Sequence, residues 1–141
     1  MMSLIMPPEP RAPRLQGQTI LVVDDQAQIR SLVRRTLEGH GAVVLEAANS
    51  QEALAVWKRH AATVSLAIVD FLMPGLSGLD LALILARDKP DLKILYMSSA
   101  VESIAMESLL RRSPEKVLLK PFTLEELFQR VVSSLELKHS E

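Results

Sequence analysis

Short apolar runs alternate along the chain with longer segments in which apolar residues recur every three or four positions. The runs are continuous rather than alternating, which is typical of strands buried on both faces of a parallel sheet. The longer segments predict amphipathic helices, most clearly at residues 124–135. The pattern therefore predicts five strands covered by five helices. The predicted strands are residues 20–23, 43–45, 66–69, 94–97 and 117–119.

The ends of the predicted helices carry recognisable signals. Thr123 with Glu126, and Ser99 with Glu102, have the three-residue spacing of a capping box, in which side chains satisfy free backbone N–H groups. We therefore interpret Ser99 as the N-cap of the fourth helix. Pro90 follows the third predicted helix and ends it, because proline lacks an N–H and clashes with the preceding turn.

Proline is concentrated at the start of the chain, where residues 1–16 carry four of the eight prolines. Because proline fixes φ and has no N–H, this stretch can join neither a helix interior nor a central strand. We interpret residues 1–16 as a disordered or extended leader or interdomain linker. The remaining pattern predicts one domain of ordinary size over residues 17–138, followed by a short tail at 139–141.

Composition and charge exclude several classes of protein. The chain has 141 residues, of which 48% are hydrophobic and 23% charged, as in ordinary globular domains. A net charge of −1 offers no sequence-wide basic field for nucleic acid, and the absence of Cys excludes thiolate chemistry. No apolar run reaches the ~20 residues that span a bilayer. We therefore expect a cytoplasmic protein that contacts neither membrane nor nucleic acid directly, with no DNA-binding domain of its own.

Polar residues follow four of the predicted strands at the point where each strand ends. These residues are Asp24 and Asp25, Asp70, Ser98, and Lys120. Ligands bind at the carboxyl edge of parallel sheets, so we expect these side chains to converge. Two unit charges ~4 Å apart repel by roughly 4 kcal/mol at an effective dielectric of ~20, so three carboxylates require a compensating cation. Mg²⁺ suits oxygen ligands, and the whole set suits the phosphorylation of an aspartate.

Four motifs at these positions resemble those of the receiver domains of two-component response regulators. They are VVDD at 22–25, DFLMPGLSG at 70–78, MSS at 97–99 and KPF at 120–122. The similarity extends from residue 18 to about residue 137. The resemblance implies a doubly wound α/β fold of the flavodoxin-like (βα)5 type, with a five-stranded parallel sheet in the strand order 2-1-3-4-5.

The resemblance also implies a function in phosphorelay signal transduction. Such a domain accepts a phosphoryl group from a phosphohistidine of a sensor histidine kinase or a histidine phosphotransfer protein. It then presents a changed face, built from the fourth helix, the fifth strand and the fifth helix, to a downstream protein. The domain is not an enzyme for a separate substrate, and it catalyses only its own phosphorylation and slow autodephosphorylation.

Carried over residue by residue, the resemblance makes Asp70 the phosphoacceptor. Asp24 and Asp25 would hold the cofactor Mg²⁺ together with Asp70. The backbone carbonyl of Leu72 would be a further ligand of the ion. Gly78 would shape the loop that follows the acceptor.

The resemblance assigns the switch to residues on the last two strands. Lys120 would pair with the acceptor and then with a phosphoryl oxygen, while Ser98 would hydrogen-bond the phosphoryl group and draw the following loop inward. The peptide bond before Pro121 is expected to be cis. The sequence departs from the family at Val117, where receivers often carry a mobile Phe or Tyr. Tyr96 either substitutes for that ring or packs in the core.

Two positions bear on the lifetime of the phosphoryl group. By resemblance, Leu72 and Ala100 flank the path of an attacking water, and neither side chain can form a hydrogen bond that would orient it. We therefore predict slow hydrolysis. Alternatively, Leu72 only packs against a partner, and the geometry of the Mg²⁺ site sets the lifetime.

Other functions are alternatives to the interpretation of the chain as a phosphoacceptor. One is a pseudo-receiver, a binding module that works without phosphorylation. Another is a flavin carrier or enzyme on the same fold, although the acidic loop at 24–28 would repel a flavin phosphate. The segment KILYMS at 93–98 is similar to receivers attached to hybrid histidine kinases. The sequence is therefore compatible both with a free-standing regulator and with a receiver domain of a longer kinase.

Overall fold

The computed structural model describes residues 14–99 and 103–135. All five predicted apolar runs lie within strands, which extend at most two residues beyond a run at either end. The strands are β1 Thr19–Val23, β2 Val43–Ala47, β3 Val64–Asp70, β4 Lys93–Ser98 and β5 Val117–Leu119. All neighbouring strands pair in parallel in the order β2-β1-β3-β4-β5, which confirms the predicted fold class.

Within the described residues, five α-helices connect and cover the strands. They are α1 Ala27–Gly39, α2 Ser50–His60, α3 Gly78–Asp88, α4 Ile104–Arg112 and α5 Leu124–Ser134. The predicted capping box at the start of α5 is present, because Thr123 and Glu126 each accept the other's backbone N–H. α3 ends at Asp88, two residues before Pro90, as predicted.

The fourth helix begins later than the sequence predicted. Its N-cap is Ser103, whose hydroxyl accepts a hydrogen bond from the N–H of Met106 at 3.0 Å. The interpretation of Ser99 as this cap was therefore wrong. Met106 is 1% exposed and belongs to the same core cluster as Tyr96, so a helix that starts at Ile104 buries this side chain. The capping-box spacing favours Ser99, because Glu102 lies three residues after it, whereas the residue three positions after Ser103 is Met106.

Both faces of the sheet are buried, and successive residues of β1 contribute to opposite faces. Ile20 and Val22 pack against α1 and α5, whereas Leu21 and Val23 pack against α2 and α3. All four side chains are completely buried. Burial on both faces explains why the strands appear in the sequence as continuous apolar runs.

The chain enters the packed domain earlier than the sequence indicated. Leu15 is completely buried in the cluster beneath α1 and α5, and its N–H donates to the carbonyl of His40 at 2.9 Å. The guanidinium of Arg14 lies 5.8 Å from the centroid of the Phe128 ring. Arg14 and Leu15 therefore pack with the domain, although the proline pattern predicts a leader that extends to residue 16. A single apolar residue gives no periodic signal in the sequence. Residues 1–13 and the predicted tail at 139–141 lie outside the described residues.

Candidate functional site

Three carboxylates meet at the carboxyl edge of the sheet. Asp24 and Asp25 follow β1, and Asp70 ends β3, which pairs with β1. One carboxylate oxygen from each residue lies within 4.8 Å of those from the other two. Asp24 is completely buried and Asp70 is 6% exposed, whereas Asp25 faces solvent. The parallel pairing of β1 with β3 therefore brings together the carboxylates that were expected to converge.

Lys120 brings a positive charge into this cluster. Its Nζ lies 2.9 Å from Asp24 Oδ2 and 3.6 Å from Asp70 Oδ2, and its side chain is 11% exposed. The resemblance implied pairing with the acceptor, but the nearer carboxylate is that of Asp24. Asp24 has no exposure to water, so a close ammonium offsets the cost of burying its charge. The N–H of Lys120 donates to the carbonyl of Ser98 at 2.7 Å, and the following peptide bond, to Pro121, is cis, the isomer that the resemblance implied.

The charges of the cluster do not cancel. Burial and, next, the neighbouring Asp24 carboxylate raise the pKa of Asp70 to about 6. Lys120 and the backbone N–H of Leu72 lower this pKa without abolishing the shift. Three carboxylates surround one ammonium, so the ionised cluster has a net negative charge that a further cation would offset. Mg²⁺ binds one or two protein carboxylates together with water and phosphate oxygens, so this donor set fits the ion.

Glycine allows the loop after Asp70 to stay close to its strand. A Cβ on Gly78 would lie 2.0 Å from the carbonyl oxygen of Asp70, so any other residue would force the backbone to shift. Gly75 has a φ of +80°, a conformation that side chains with a Cβ rarely adopt. Leu72, in the same loop, is 45% exposed two residues after the acceptor. The loop therefore brings the start of α3 against the acceptor strand and leaves the Leu72 side chain exposed to solvent.

Ser98 ends β4 and is 1% exposed. Two residues earlier, the Tyr96 ring packs edge-to-face on Phe71, with centroids 5.6 Å apart. Tyr96 is also paired with Val117 across β4 and β5, and both side chains are buried. Of the two roles considered for Tyr96, the structure therefore shows core packing. Ala100, the second position assigned to the phosphoryl lifetime, lies outside the described residues.

Two polar residues that the sequence analysis did not single out also contact the cluster. The N–H of Gln26 donates to Asp24 Oδ1 at 2.8 Å, and Gln26 Oε1 accepts a hydrogen bond from Lys120 Nζ at 3.1 Å. Arg30 Nη1 donates to the backbone carbonyl of Asp24 at 2.7 Å. Arg30 lies one helical turn after Gln26, and helical side chains tilt toward the N-terminus of their helix. This spacing is the signal that would have placed Arg30 beside the end of β1.

Comparison with known proteins identifies the family. A family model described as the response regulator receiver domain matches residues 20–132. The chain belongs to the response regulator receiver family. It is 35% identical over 125 residues to the phosphate regulon transcriptional regulatory protein PhoB of Pseudomonas aeruginosa, an alignment that covers 84% of this chain and 52% of PhoB. It is 32% identical over 127 residues to the sensor kinase CckA of Brucella abortus, covering 89% of this chain and 13% of CckA.

Solved structures agree with this assignment. The crystal structure of NtrX from Brucella abortus is 29% identical with a TM-score of 0.76, over 86% of this chain and 27% of that one. The chemotaxis protein CheY4 of Vibrio cholerae is 26% identical with a TM-score of 0.72, over 83% of this chain and 98% of that one. The receiver domain described here spans about half the length of PhoB and a smaller share of CckA.

Membership in this family makes the chain a receiver domain of two-component phosphorelay signalling. The strand order 2-1-3-4-5 is that of the CheY fold. Within residues 14–99 and 103–135, no helix has the length and apolar character required to cross a membrane.

Proposed function

We propose that this receiver domain accepts a phosphoryl group from a phosphohistidine onto Asp70, with Mg²⁺ bound beside it. A carboxylate oxygen of Asp70 attacks the phosphorus, the P–N bond to the imidazole breaks, and the imidazole takes up a proton from water. The observation that carries this proposal is the approach of three carboxylate oxygens within 4.8 Å, with Lys120 Nζ 3.6 Å from Asp70 Oδ2. An acceptor carboxylate with positive charge beside it suits the transfer of a dianionic group.

The proposed metal ligands are the carboxylates of Asp24, Asp25 and Asp70 and the backbone carbonyl of Leu72. Held by these residues, the ion would supply positive charge that offsets the negative charge of the phosphoryl oxygens. Asp70 is nearly buried and already lies beside the Asp24 carboxylate, so an added cation would stabilise its ionised form. The exposed Asp25 supplies a carboxylate that the ion can reach from solvent.

Lys120 and Ser98 are proposed to bind phosphoryl oxygens and to connect the site with the output face. When both are drawn toward the phosphoryl group, the loop after Ser98 moves and the face formed by α4, β5 and α5 changes. Ile104, 86% exposed, and Leu119, 46% exposed, offer apolar contacts for a downstream protein on that face. Because Val117 stands in place of a mobile ring, we expect a small change that is centred on the loop.

The acceptor can be tested by mass spectrometry of the intact protein after incubation with acetyl phosphate and Mg²⁺. We expect the parent to gain one phosphoryl group and Asp70→Asn to gain none. Asp91→Asn is a matched control, because Asp91 is an exposed aspartate in the loop between α3 and β4, and it should label like the parent. Labelling of Asp70→Asn at the parental level would identify a different acceptor.

A second measurement repeats the labelling after the metal has been removed. We expect EDTA to reduce labelling of the parent to the level of Asp70→Asn, because the cluster lacks enough positive charge without the ion. A pseudo-receiver would stay unlabelled with Mg²⁺ present and would still bind its partner. The complete set of three carboxylates and one ammonium does not favour that alternative.

The proposed partners follow from the same chemistry. The donor is a sensor histidine kinase or a histidine phosphotransfer protein, and the output is a downstream protein bound through α4, β5 and α5, with no direct contact to nucleic acid or membrane. We propose a cytoplasmic location and no activity on a separate substrate beyond self-phosphorylation and slow autodephosphorylation.

Amide hydrogen exchange with and without beryllofluoride tests whether the face formed by α4, β5 and α5 changes on phosphorylation. Changes confined to α1 would contradict this assignment.

We further propose that Leu72 and Ala100 prolong the life of phospho-Asp70. Positioned groups that transfer protons typically contribute ~10²–10⁴ in rate, and water orientation alone contributes less. Leu72→Asn should therefore release phosphate several-fold faster than the parent at neutral pH. Leu76→Asn is the control, since Leu76 is a 36% exposed leucine of the same loop. Equal release rates from Leu72→Asn and the parent would show that Leu72 does not limit hydrolysis.

A further inference from the structure

We infer that Arg30 is a positioning residue for the metal site: it holds the peptide between Asp24 and Asp25 in the orientation that directs both carboxylates toward the ion. The inference rests on the proposed function of the cluster formed by Asp24, Asp25 and Asp70. It adds a residue of α1 that touches neither the ion nor the phosphoryl group and acts through the backbone.

The contact is made to a backbone group rather than to a carboxylate. Arg30 Nη1 donates to the carbonyl oxygen of Asp24 at 2.7 Å. This carbonyl belongs to the planar peptide unit that links Asp24 to Asp25, so its direction determines how the two residues are oriented relative to each other. Hydrogen bonds from a charged donor are short and strong. One bond therefore constrains both of the metal ligands that follow β1.

The other contacts of the turn between β1 and α1 do not fix the Asp24 carbonyl: the N–H of Asp24 donates to the carbonyl of Ala47 at 3.2 Å, and Gln26 Oε1 accepts a hydrogen bond from Lys120 Nζ at 3.1 Å. Gln26, the N-cap of α1, makes no side-chain cap hydrogen bond, and the first turn of α1 contains no acidic residue. The Asp24 carboxylate accepts the N–H of Gln26 at 2.8 Å, but it is also paired with Lys120 at 2.9 Å. An ion bound by this carboxylate would add to these two partners or replace one of them. The hydrogen bond from Arg30 to the Asp24 carbonyl holds the turn in place and leaves the carboxylates of Asp24 and Asp25 available to the ion.

Arg30 is itself fixed from the other side. Its Nε donates to Glu46 Oε1 at 3.2 Å, and its side chain is 18% exposed. Glu46 lies on β2 and also accepts a hydrogen bond from Arg34 Nη1 at 2.8 Å. A planar guanidinium can hold a carbonyl and a carboxylate at once, whereas an ammonium lacks this fork geometry. The guanidinium of Arg30 therefore ties the end of β1 to β2.

Calorimetric titration with Mg²⁺ tests this role in the parent, Arg30→Met and Arg34→Met. Groups that orient metal ligands typically contribute about 10–100-fold in metal affinity, so we expect about tenfold weaker binding in Arg30→Met. Arg34 is the matched control because it shares Glu46 with Arg30 but otherwise contacts Glu38 rather than Asp24. Arg34→Met should change the affinity by less than about twofold, and Arg30→Lys should be intermediate.

Amide hydrogen exchange of the metal-free protein supplies a readout that needs neither ion nor phosphate. We expect the N–H groups of Asp25 and Gln26 to exchange faster in Arg30→Met and to be unchanged in Arg34→Met. If Arg30→Met does not fold, Glu46→Gln replaces it, since loss of the charge that anchors Arg30 should also weaken Mg²⁺ binding, but less.

Two results would overturn the role of Arg30 and leave the proposed function intact. One is parental Mg²⁺ affinity in the folded Arg30→Met variant, and the other is an equal loss in Arg30→Met and Arg34→Met, which would point to the tie between α1 and β2. Failure of the parent itself to bind Mg²⁺ would instead overturn the proposed function, and this inference with it.

Discussion

The two ends of the sheet are stabilised in different ways. At the carboxyl end, Asp24, Asp70 and Ser98 are all buried, and charge pairing with Lys120 compensates only part of the negative charge. At the amino end, Leu15 is completely buried, and its N–H bonds to the carbonyl of His40. The ring of His40 in turn stacks on a phenylalanine ring of α5 with centroids 3.9 Å apart. Apolar burial closes one end, whereas concentrated charge occupies the other.

This difference shows that the amino end of the sheet stabilises the fold, whereas the functional site at the carboxyl end reduces its stability. Burying an apolar side chain stabilises the folded state, while holding like charges together at low solvent exposure destabilises it. Truncation of an apolar side chain at the amino end and neutralisation of a carboxylate at the carboxyl end should therefore have opposite effects on the free energy of unfolding. Three predictions test this contrast.

The largest effect is expected at the amino end. Leu15→Ala should lower the free energy of unfolding by about 2–5 kcal/mol, because it removes a fully buried side chain and leaves a cavity. Urea denaturation measures this change. Leu124→Ala is the control, since Leu124 is 49% exposed at the first position of α5 and its truncation should change stability by about 0.5 kcal/mol or less. Equal losses in the two variants would show that Leu15 does not close the core.

A change of opposite sign is expected at the carboxyl end. In EDTA at pH 8, Asp70→Asn should raise the free energy of unfolding by about 1–2 kcal/mol, because it removes one of three crowded carboxylates. Added Mg²⁺ should stabilise the parent more than the variant, since an ion that binds the folded state shifts the unfolding equilibrium. Asp91→Asn should change neither measurement. A destabilised Asp70→Asn in EDTA would mean that pairing with Lys120 outweighs the repulsion.

The smallest effect concerns the ion pairs beside the site. Hydrogen bonding to Arg34, and secondarily to Arg30, lowers the pKa of Glu46 from its ordinary value of 4.5. A carboxyl group whose pKa is lower in the folded state stabilises the protein above its unfolded pKa, and this stabilisation is lost as the pH falls through the folded value. Glu46→Gln should therefore cost at most about 1 kcal/mol at pH 7, because the pair is partly exposed.

The pH dependence of this difference distinguishes an ion pair from simple packing. The stability gap between the parent and Glu46→Gln should stay constant from pH 7 to about 5 and then shrink as the pH falls below about 4.5. Urea denaturation at several pH values measures it, and high salt should also reduce it. A gap that does not depend on pH would mean that the loss arises from packing.

Much of the fold was predictable because its signals are local. Strands buried on both faces require continuous apolar runs, and the observed strands differ from the predicted ones by at most two residues at an end. Polar residues at the strand ends predicted the meeting of Asp24, Asp25 and Asp70, because parallel strands place their carboxyl ends at one edge. The roles assigned to these residues stay predictions until phosphorylation is measured.

The sequence by itself determined the order and type of the elements, the edge of the sheet that carries the site, and the family. Only the tertiary structure decided that Leu15 belongs to the core, that α4 starts after Ser103, that Lys120 lies nearer to Asp24 than to Asp70, and that Arg30 reaches the Asp24 carbonyl. The physical reason is the range of the interactions involved. Periodicity reports what each segment buries, whereas these contacts depend on angstrom-scale distances between segments, which are set when helices and strands pack together.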